Sequence, residues 1–235
     1  DETLTGGAGA DTIDGRGGED VIAAGDGGDR VVYHGGELAI DGGASADTLV
    51  LSTLGAITAI DLGVPGGIDQ TAGDGVSVVN FENIDASALG AAAGLAVTGS
   101  SGANTITGGS GDDTIDGAGG ADVIASGGGD DVVAYHGSEV SIAGGAGSNR
   151  LVVHTSATIA LAAGDQTVGD TTVVSGFVDV DASTLGAGET LVATGDGNAN
   201  VILGGAGADT IGGGGGADSL SGGSGDDRMT LAGGE

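Results

Sequence analysis

The chain has 235 residues and no cysteine, and sets 34 acidic residues against four arginines and no lysine, for a formal net charge of −30. That balance excludes nucleic acid as a partner, because phosphate binding needs clustered cations, and the missing thiols exclude disulfides and thiolate zinc sites. With 56 glycines and 2% aromatic residues, self-repulsion and backbone entropy would outweigh what an ordinary core could bury, so an ordered state requires a counter-charge.

From the N-terminal end, the first pattern is the nine-residue unit Gly6-Gly7-Ala8-Gly9-Ala10-Asp11-Thr12-Ile13-Asp14. It continues without a gap through Gly15 to Ala23 and Ala24 to Val32, then returns from Gly99 to Ala134 and from Gly195 to Thr230. Positions one to four are glycine-rich and form a tight turn whose carbonyls can point inward. Positions seven to nine carry Thr, Val, Ile, Leu and Ala, so each unit sends one aliphatic side chain inward from a very short strand. Such a strand buries nothing alone, and units stacked about 4.8 Å apart do, which predicts a solenoid.

Position six is an acid in most units. Two units make one turn of the roll, so each position-six Asp lies over the Asp eighteen residues on. Two carboxylates and several carbonyls then face one gap, with no imidazole or thiolate among them. Ca²⁺, a hard cation taking about six to eight oxygen ligands, suits this donor set better than Mg²⁺, which prefers a small octahedron and keeps its waters.

At these residues the chain resembles the RTX, or haemolysin-type, calcium-binding nonapeptide-repeat family. The resemblance implies an all-β, right-handed parallel β-roll or β-helix solenoid, with several Ca²⁺ ions bound between turns by position-six side chains and turn carbonyls. Carried onto this sequence, the full Asp pairs are Asp11 with Asp29, Asp29 with Asp47, Asp113 with Asp131, and Asp209 with Asp227. Pairs using Glu or Asn are Glu2 with Asp20, Asn104 with Asp122, Asp131 with Asn149, and Asn200 with Asp218. Gly7, Gly9, Gly109, Gly111, Gly205 and Gly207 are the expected carbonyl donors of the turns. Leu38 and Val140 occupy position six in two rungs, so the gaps beside Asp20 and Asp122 on that side should lack a cation or be closed by other groups.

A second period of roughly a hundred residues lies above the first. Asp29-Arg30-Val31-Val32-Tyr33-His34-Gly35-Gly36-Glu37 matches Asp131 to Glu139 and then Asp227 to Glu235. Between the calcium blocks, Asp69-Gln70-Thr71-Ala72-Gly73-Asp74 matches Asp165-Gln166-Thr167-Val168-Gly169-Asp170, and Phe81 matches Phe177 as a core plug. The first copy carries six extra residues near Pro65, which read as a surface turn. The expected organisation is therefore a calcium roll over 1–50, metal-free solenoid rungs over 51–98, a second roll over 99–152, metal-free rungs over 153–194, and a third roll over 195–235. One continuous solenoid of calcium-loaded rolls alternating with metal-free rungs is favoured over separate rolls.

Other motifs have plainer readings. Tyr33-His34 and Tyr135-His136 mark rungs where calcium binding lapses, and His154 stands opposite Ser52 of the other copy without building a cluster. Asp196-Gly197-Asn198-Ala199-Asn200 starts like an EF-hand loop but lacks its Gly and Glu. No Gly-x-Ser-x-Gly or His-Glu-x-x-His is present, and every Asp pair has a repeat-related duplicate, so catalysis is not expected. No apolar run approaches the ~18 residues of a membrane span. The chain opens without Met and stops inside a repeat, so a longer parent polypeptide is expected. The resulting expectation is a calcium-stabilised structural segment of a secreted bacterial cell-surface protein, an S-layer subunit or adhesin shaft, that folds on calcium after export and self-associates in a lattice or filament. The alternative is the folding and secretion module of an exported enzyme or toxin.

Overall fold

The computed structural model describes residues 1–231; residues 232–235, including Glu235 of the hundred-residue match, lie outside the described residues. Residues 1–231 form strands and turns without a helix, and so contain none long and apolar enough to cross a membrane. They wind into a parallel β-solenoid of about 13 turns.

The eighteen-residue turn sets the register within the repeat blocks. Ile13 pairs with Val31, Ile22 with Ile40, Ile106 with Ile124, and Ile115 with Val133. Short strands such as Thr105–Thr107 and Thr114–Asp116 expose the outer residues and bury the central one. Position-eight aliphatics thus form a thin core running along the axis, with Ile22, Ile106, Ile124 and Ile142 all at 1% exposure or less. Burying each such side chain contributes about 1.5–3 kcal/mol, and only stacking makes that burial available.

The four sheets hand over to one another at the segments between blocks. The first block lies between a four-stranded sheet, Thr3–Ala8 to Ser77–Val79, and an eight-stranded sheet, Thr12–Asp14 to Val173–Ser175. In residues 51–98 the four-stranded sheet ends at Ser77–Val79, while a nine-stranded sheet gains its first parallel strand, Ala59–Asp61. The eight-stranded sheet passes through by way of Asn83–Asp85. In residues 153–194 the same exchange recurs one sheet further on: the eight-stranded sheet ends, a new four-stranded sheet starts at Ala157–Ala160, and the nine-stranded sheet continues through Asp179–Asp181. Blocks therefore have two strands per turn, and the intervening rungs have three. The all-parallel expectation has one local exception, an antiparallel pairing of Ala59–Asp61 with Thr71–Ala72, echoed by an Ile159–Thr167 bridge in the second copy.

The motif repeated at 96 residues builds these three-stranded rungs. The Gln70 side-chain amide pairs with both backbone groups of Phe81, donating to its carbonyl and accepting its N–H at 2.8 Å each. Gln166 does the same with Phe177. Asp69 Oδ1 accepts the Thr71 and Val78 N–H groups, as Asp165 accepts those of Thr167 and Val174. Buried Phe81 and Phe177 are thereby fixed as core plugs. Tyr33 donates its hydroxyl to Asp74 at 2.7 Å and Tyr135 to Asp170 at 2.6 Å, tying each block to the segment after it.

Candidate metal centre

Position six forms ladders along the edges of the roll. The Asp11 N–H donates to Asp29 Oδ1 at 2.8 Å, and the Asp29 N–H donates to Asp47 Oδ1 at 2.7 Å. The same bond joins Glu2 to Asp20, Asn104 to Asp122, Asp113 to Asp131, Asp131 to Asn149, Asn200 to Asp218, and Asp209 to Asp227. Every pair expected from the sequence is thus brought together across one turn.

The second carboxylate oxygen decides what each gap requires. Oδ2 of Asp11, Asp20, Asp29, Asp47, Asp122, Asp131 and Asp218 is buried and has no hydrogen-bond partner. A buried carboxylate oxygen without a donor is costly, and a cation is the ordinary remedy. Backbone carbonyls of the next turn lie beside these carboxylates, since a Cβ on Gly6 would strike both the Ala24 carbonyl oxygen and Asp11 Oδ2. A Cβ on Gly25 would strike the Gly7 carbonyl oxygen, and one on Gly27 the Gly9 carbonyl oxygen, so these carbonyls point along the axis toward the next turn. Among the described residues no three His, Cys, Asp or Glu side chains converge on one point. Each gap therefore combines one or two carboxylates with backbone carbonyls, a hard all-oxygen donor set that fits Ca²⁺.

The glycines are required by this close approach. Gly127 has φ +105°, and its Cβ would meet the Gly109 carbonyl oxygen, whereas a Cβ on Gly119 would meet nothing within 4 Å. Gly127→Ala is expected to cost at least ~2 kcal/mol and Gly119→Ala less than ~1 kcal/mol, measurable as a difference in thermal or urea unfolding in calcium.

The first turn of the second and third blocks is built differently. Gly109, Gly111, Gly205 and Gly207 lack the left-handed φ of Gly7 and Gly9. The Gly109 N–H points inward to Asp113 Oδ2 at 2.9 Å, and the Gly205 N–H to Asp209 Oδ2 at 2.8 Å. The other oxygens of Asp113 and Asp209 accept the Leu95 and Leu191 N–H groups, so both carboxylates are satisfied within the protein. The carbonyls of these four glycines still face the following turn, against Gly127, Gly129, Gly223 and Gly225. Asn104, Asn149 and Asn200, expected as amide ligands, bring their own donors. Asn104 Nδ2 donates to the Glu82 carbonyl, Asn200 Nδ2 to that of Val178, and Asn149 Nδ2 to those of Gly144 and Gly176. Each lies where a block meets an intervening segment.

The lapsed rungs are closed by an anion. Glu37, at position five beside exposed Leu38, is 4% exposed. Its carboxylate accepts the N–H groups of His34, Gly35 and Gly36 at 2.8, 2.9 and 3.1 Å. Glu139 repeats this with His136, Gly137 and Ser138. Here the turn directs its N–H groups inward around a carboxylate. The sequence signal was an acid moved by one position in both copies. His34 is held between Asp14 and Ser52 at 2.8 Å each. His154, expected to build no cluster, instead stacks on His136 at 4.8 Å between ring centroids, and His136 bonds Asp116.

The family model of the RTX calcium-binding nonapeptide repeat, four copies long, matches residues 1–31, 98–133 and 194–229, the three stretches that carry these ladders. The chain carries RTX calcium-binding nonapeptide repeats. A comparison with curated proteins gives no match. The RTX β-roll is a calcium-binding structural module, and the orphaned oxygens of this chain agree with that chemistry.

Burial pushes several position-six carboxyls upward when no ion is bound. Asp47 rises from 3.8 to about 6, mainly through burial and then through Asp29 and Glu82 nearby; Asp113 and Asp122 are raised for the same leading reason. Asp14, Asp85 and Asp196 shift down, held by hydrogen bonds from His34, Ser87 and the Asn198 N–H, but they sit nearer the surface. A raised folded pKa stabilises below the unfolded value and loses that contribution as pH climbs through the folded value. The calcium-free chain is therefore expected to lose stability between about pH 4 and pH 6. Far-ultraviolet circular dichroism of metal-stripped protein across that range checks this: any residual β signal is expected to fall as the pH rises, and a β signal that grows with pH contradicts it.

Proposed function

We propose that the chain is a calcium-stabilised structural segment of a secreted bacterial cell-surface protein, an S-layer subunit or adhesin shaft, which folds on calcium after export. The repeated handover of sheets carries this reading. A hundred-residue unit of roll plus three-stranded rung starts a new sheet before an old one ends, so each unit adds length without closing the solenoid. In this reading the seven orphaned Oδ2 atoms mark cation gaps, with Asp11, Asp20, Asp29, Asp47, Asp122, Asp131 and Asp218 as ligands and turn carbonyls completing each shell. Asp113, Asp209 and Asp227 support neighbouring gaps through the ladder.

Calcium availability then separates the two sides of the membrane. With a Kd of ~10⁻⁴ M and ~1 mM calcium outside, each site adds about 1.4 kcal/mol by mass action, and almost nothing at the sub-micromolar level inside. Self-association in a lattice or filament belongs to the same proposal.

The second reading, a folding and secretion module of an exported enzyme or toxin, draws on the RTX match alone. Immunogold electron microscopy of source cells grown in calcium distinguishes them. Continuous envelope or filament labelling, released by chelator, supports the surface role; label confined to the medium on a particle with hydrolytic or toxic activity supports the module.

A further inference from the structure

Four ladder positions flank the intervening segments, and three of them are asparagine. Asn149 ends the second block, Asn104 begins it, and Asn200 begins the third. Each donates its Nδ2 to a carbonyl across the junction, so each junction is closed by a hydrogen-bond donor built into the chain. The fourth position is Asp47, and a carboxylate brings no donor.

The two copies can be compared residue by residue. In the second copy Asn149 donates to the carbonyls of Gly144 and Gly176 at 2.8 and 2.9 Å, over Val178. In the first copy the equivalents are Asp47, Gly42, Asn80 and Glu82. The Asn80 carbonyl again faces Gly42, striking the place of its Cβ. Asp47 is 0% exposed, and its Oδ2, standing for the Asn149 amide nitrogen, has no partner. Where the second copy has neutral Val178, the first has Glu82, whose Oε2 accepts the Asp47 N–H at 2.9 Å. That bond has the form of the ladder bond from Asp29 to Asp47, so Glu82 continues the position-six ladder from outside the nonapeptide repeats.

The turn above also keeps the conformation of the repeat turns. Gly43 has φ +99° and Ser45 φ +94°, matching Gly7 at +113° and Gly9 at +110° in the first turn. Ser45 holds that left-handed conformation despite its side chain, a strain that L residues adopt only where the surroundings impose it. No ion pair among the described residues involves Asp47 or Glu82, so no basic side chain offsets the two charges.

We propose that Asp47 and Glu82 hold a further Ca²⁺ between the first block and the segment that follows, joining two parts of the solenoid that the second copy joins through Asn149. Glu82 lies in the stretch expected from the sequence to be metal-free, and both residues lie beyond the matched repeats, which end at residue 31 in the first block. It rests on the calcium reading of those repeats. Carboxylates and carbonyls without nitrogen or sulfur select a hard cation, and the absence of a compact ring of donors favours Ca²⁺ over Mg²⁺.

The test counts bound calcium per chain by native mass spectrometry on metal-stripped, calcium-reloaded protein. Glu82→Val, which installs the second copy's own residue, is expected to bind one ion fewer than wild type, while Glu19→Gln on the exposed surface leaves the number unchanged. In the second copy, Asn149→Asp/Val178→Glu is expected to bind one ion more than Asn149→Asp alone. An unchanged count in Glu82→Val overturns the proposal. If Glu82→Val does not fold, the second-copy pair decides: an added ion supports the site, and equal counts overturn it. Wild type that binds no calcium at all would instead refute the reading of the repeats on which this site rests.

Discussion

Replacing Asp29 with alanine is expected to cost about 4–6 kcal/mol in ~1 mM calcium and to lower the number of bound ions. Asp29 is 1% exposed and stands in two consecutive gaps, accepting the Asp11 N–H while its own N–H is held by Asp47. Its removal strands the half-buried Asp11 donor, worth about 1–3 kcal/mol, and withdraws a carboxylate from both gaps, each worth about 1.4 kcal/mol at the assumed affinity. Exposed Asp26, three positions earlier in the same turn, supplies the control: Asp26→Ala is expected to stay within about 0.5 kcal/mol and to leave the ion count unchanged. Unfolding in urea combined with native mass spectrometry reads both quantities. Equal behaviour of the two variants would remove the ladder from the account.

Glu37→Ala and Glu139→Ala are expected to destabilise by a similar amount, about 3–5 kcal/mol, through the opposite chemistry. Each carboxylate accepts three backbone N–H groups inside a turn, and alanine leaves all three without a partner. Calcium cannot replace the missing group, because the turn presents donors to it. The two variants should therefore lose stability while binding as many ions as wild type, unlike Asp29→Ala. Glutamine at either position restores shape and one acceptor oxygen and should recover about half the loss. A fall in ion count with Glu37→Ala would show that the lapsed rung contributes to a metal site after all.

The parts legible in the sequence are those governed by a fixed period. Position-eight aliphatics such as Ile106, Ile115 and Ile124 form the core, and the position-six pairs meet across eighteen residues, because stacking turns equal sequence separation into spatial contact. The parts that were not legible depend on a side chain replacing an ion. Glu37 and Glu139 were visible as duplicates, but their role needs the turn to reverse the direction of its peptide groups, which composition does not report. Asn104, Asn149 and Asn200 read as weaker versions of Asp, yet an amide differs in carrying a donor, and the structure uses that donor at three junctions. The exchange of sheets was hidden for another reason: Ala59–Asp61 opens a new sheet before Ser77–Val79 closes the old one, so chain order and spatial order diverge. The stacking of His154 on His136 follows from the eighteen-residue register that pairs Tyr135 with Val153, and at the equivalent place in the first copy Ser52 hydrogen-bonds His34 instead.

The central claim is that cations offset an acidic chain that cannot otherwise order its glycine turns. Its most direct test is the far-ultraviolet circular dichroism of metal-stripped protein near pH 7.5, titrated with calcium and then with chelator. The account predicts a disordered spectrum at sub-micromolar calcium, a β spectrum by ~1 mM, and return to disorder when the chelator is added. A β spectrum of the same intensity with and without calcium would contradict it.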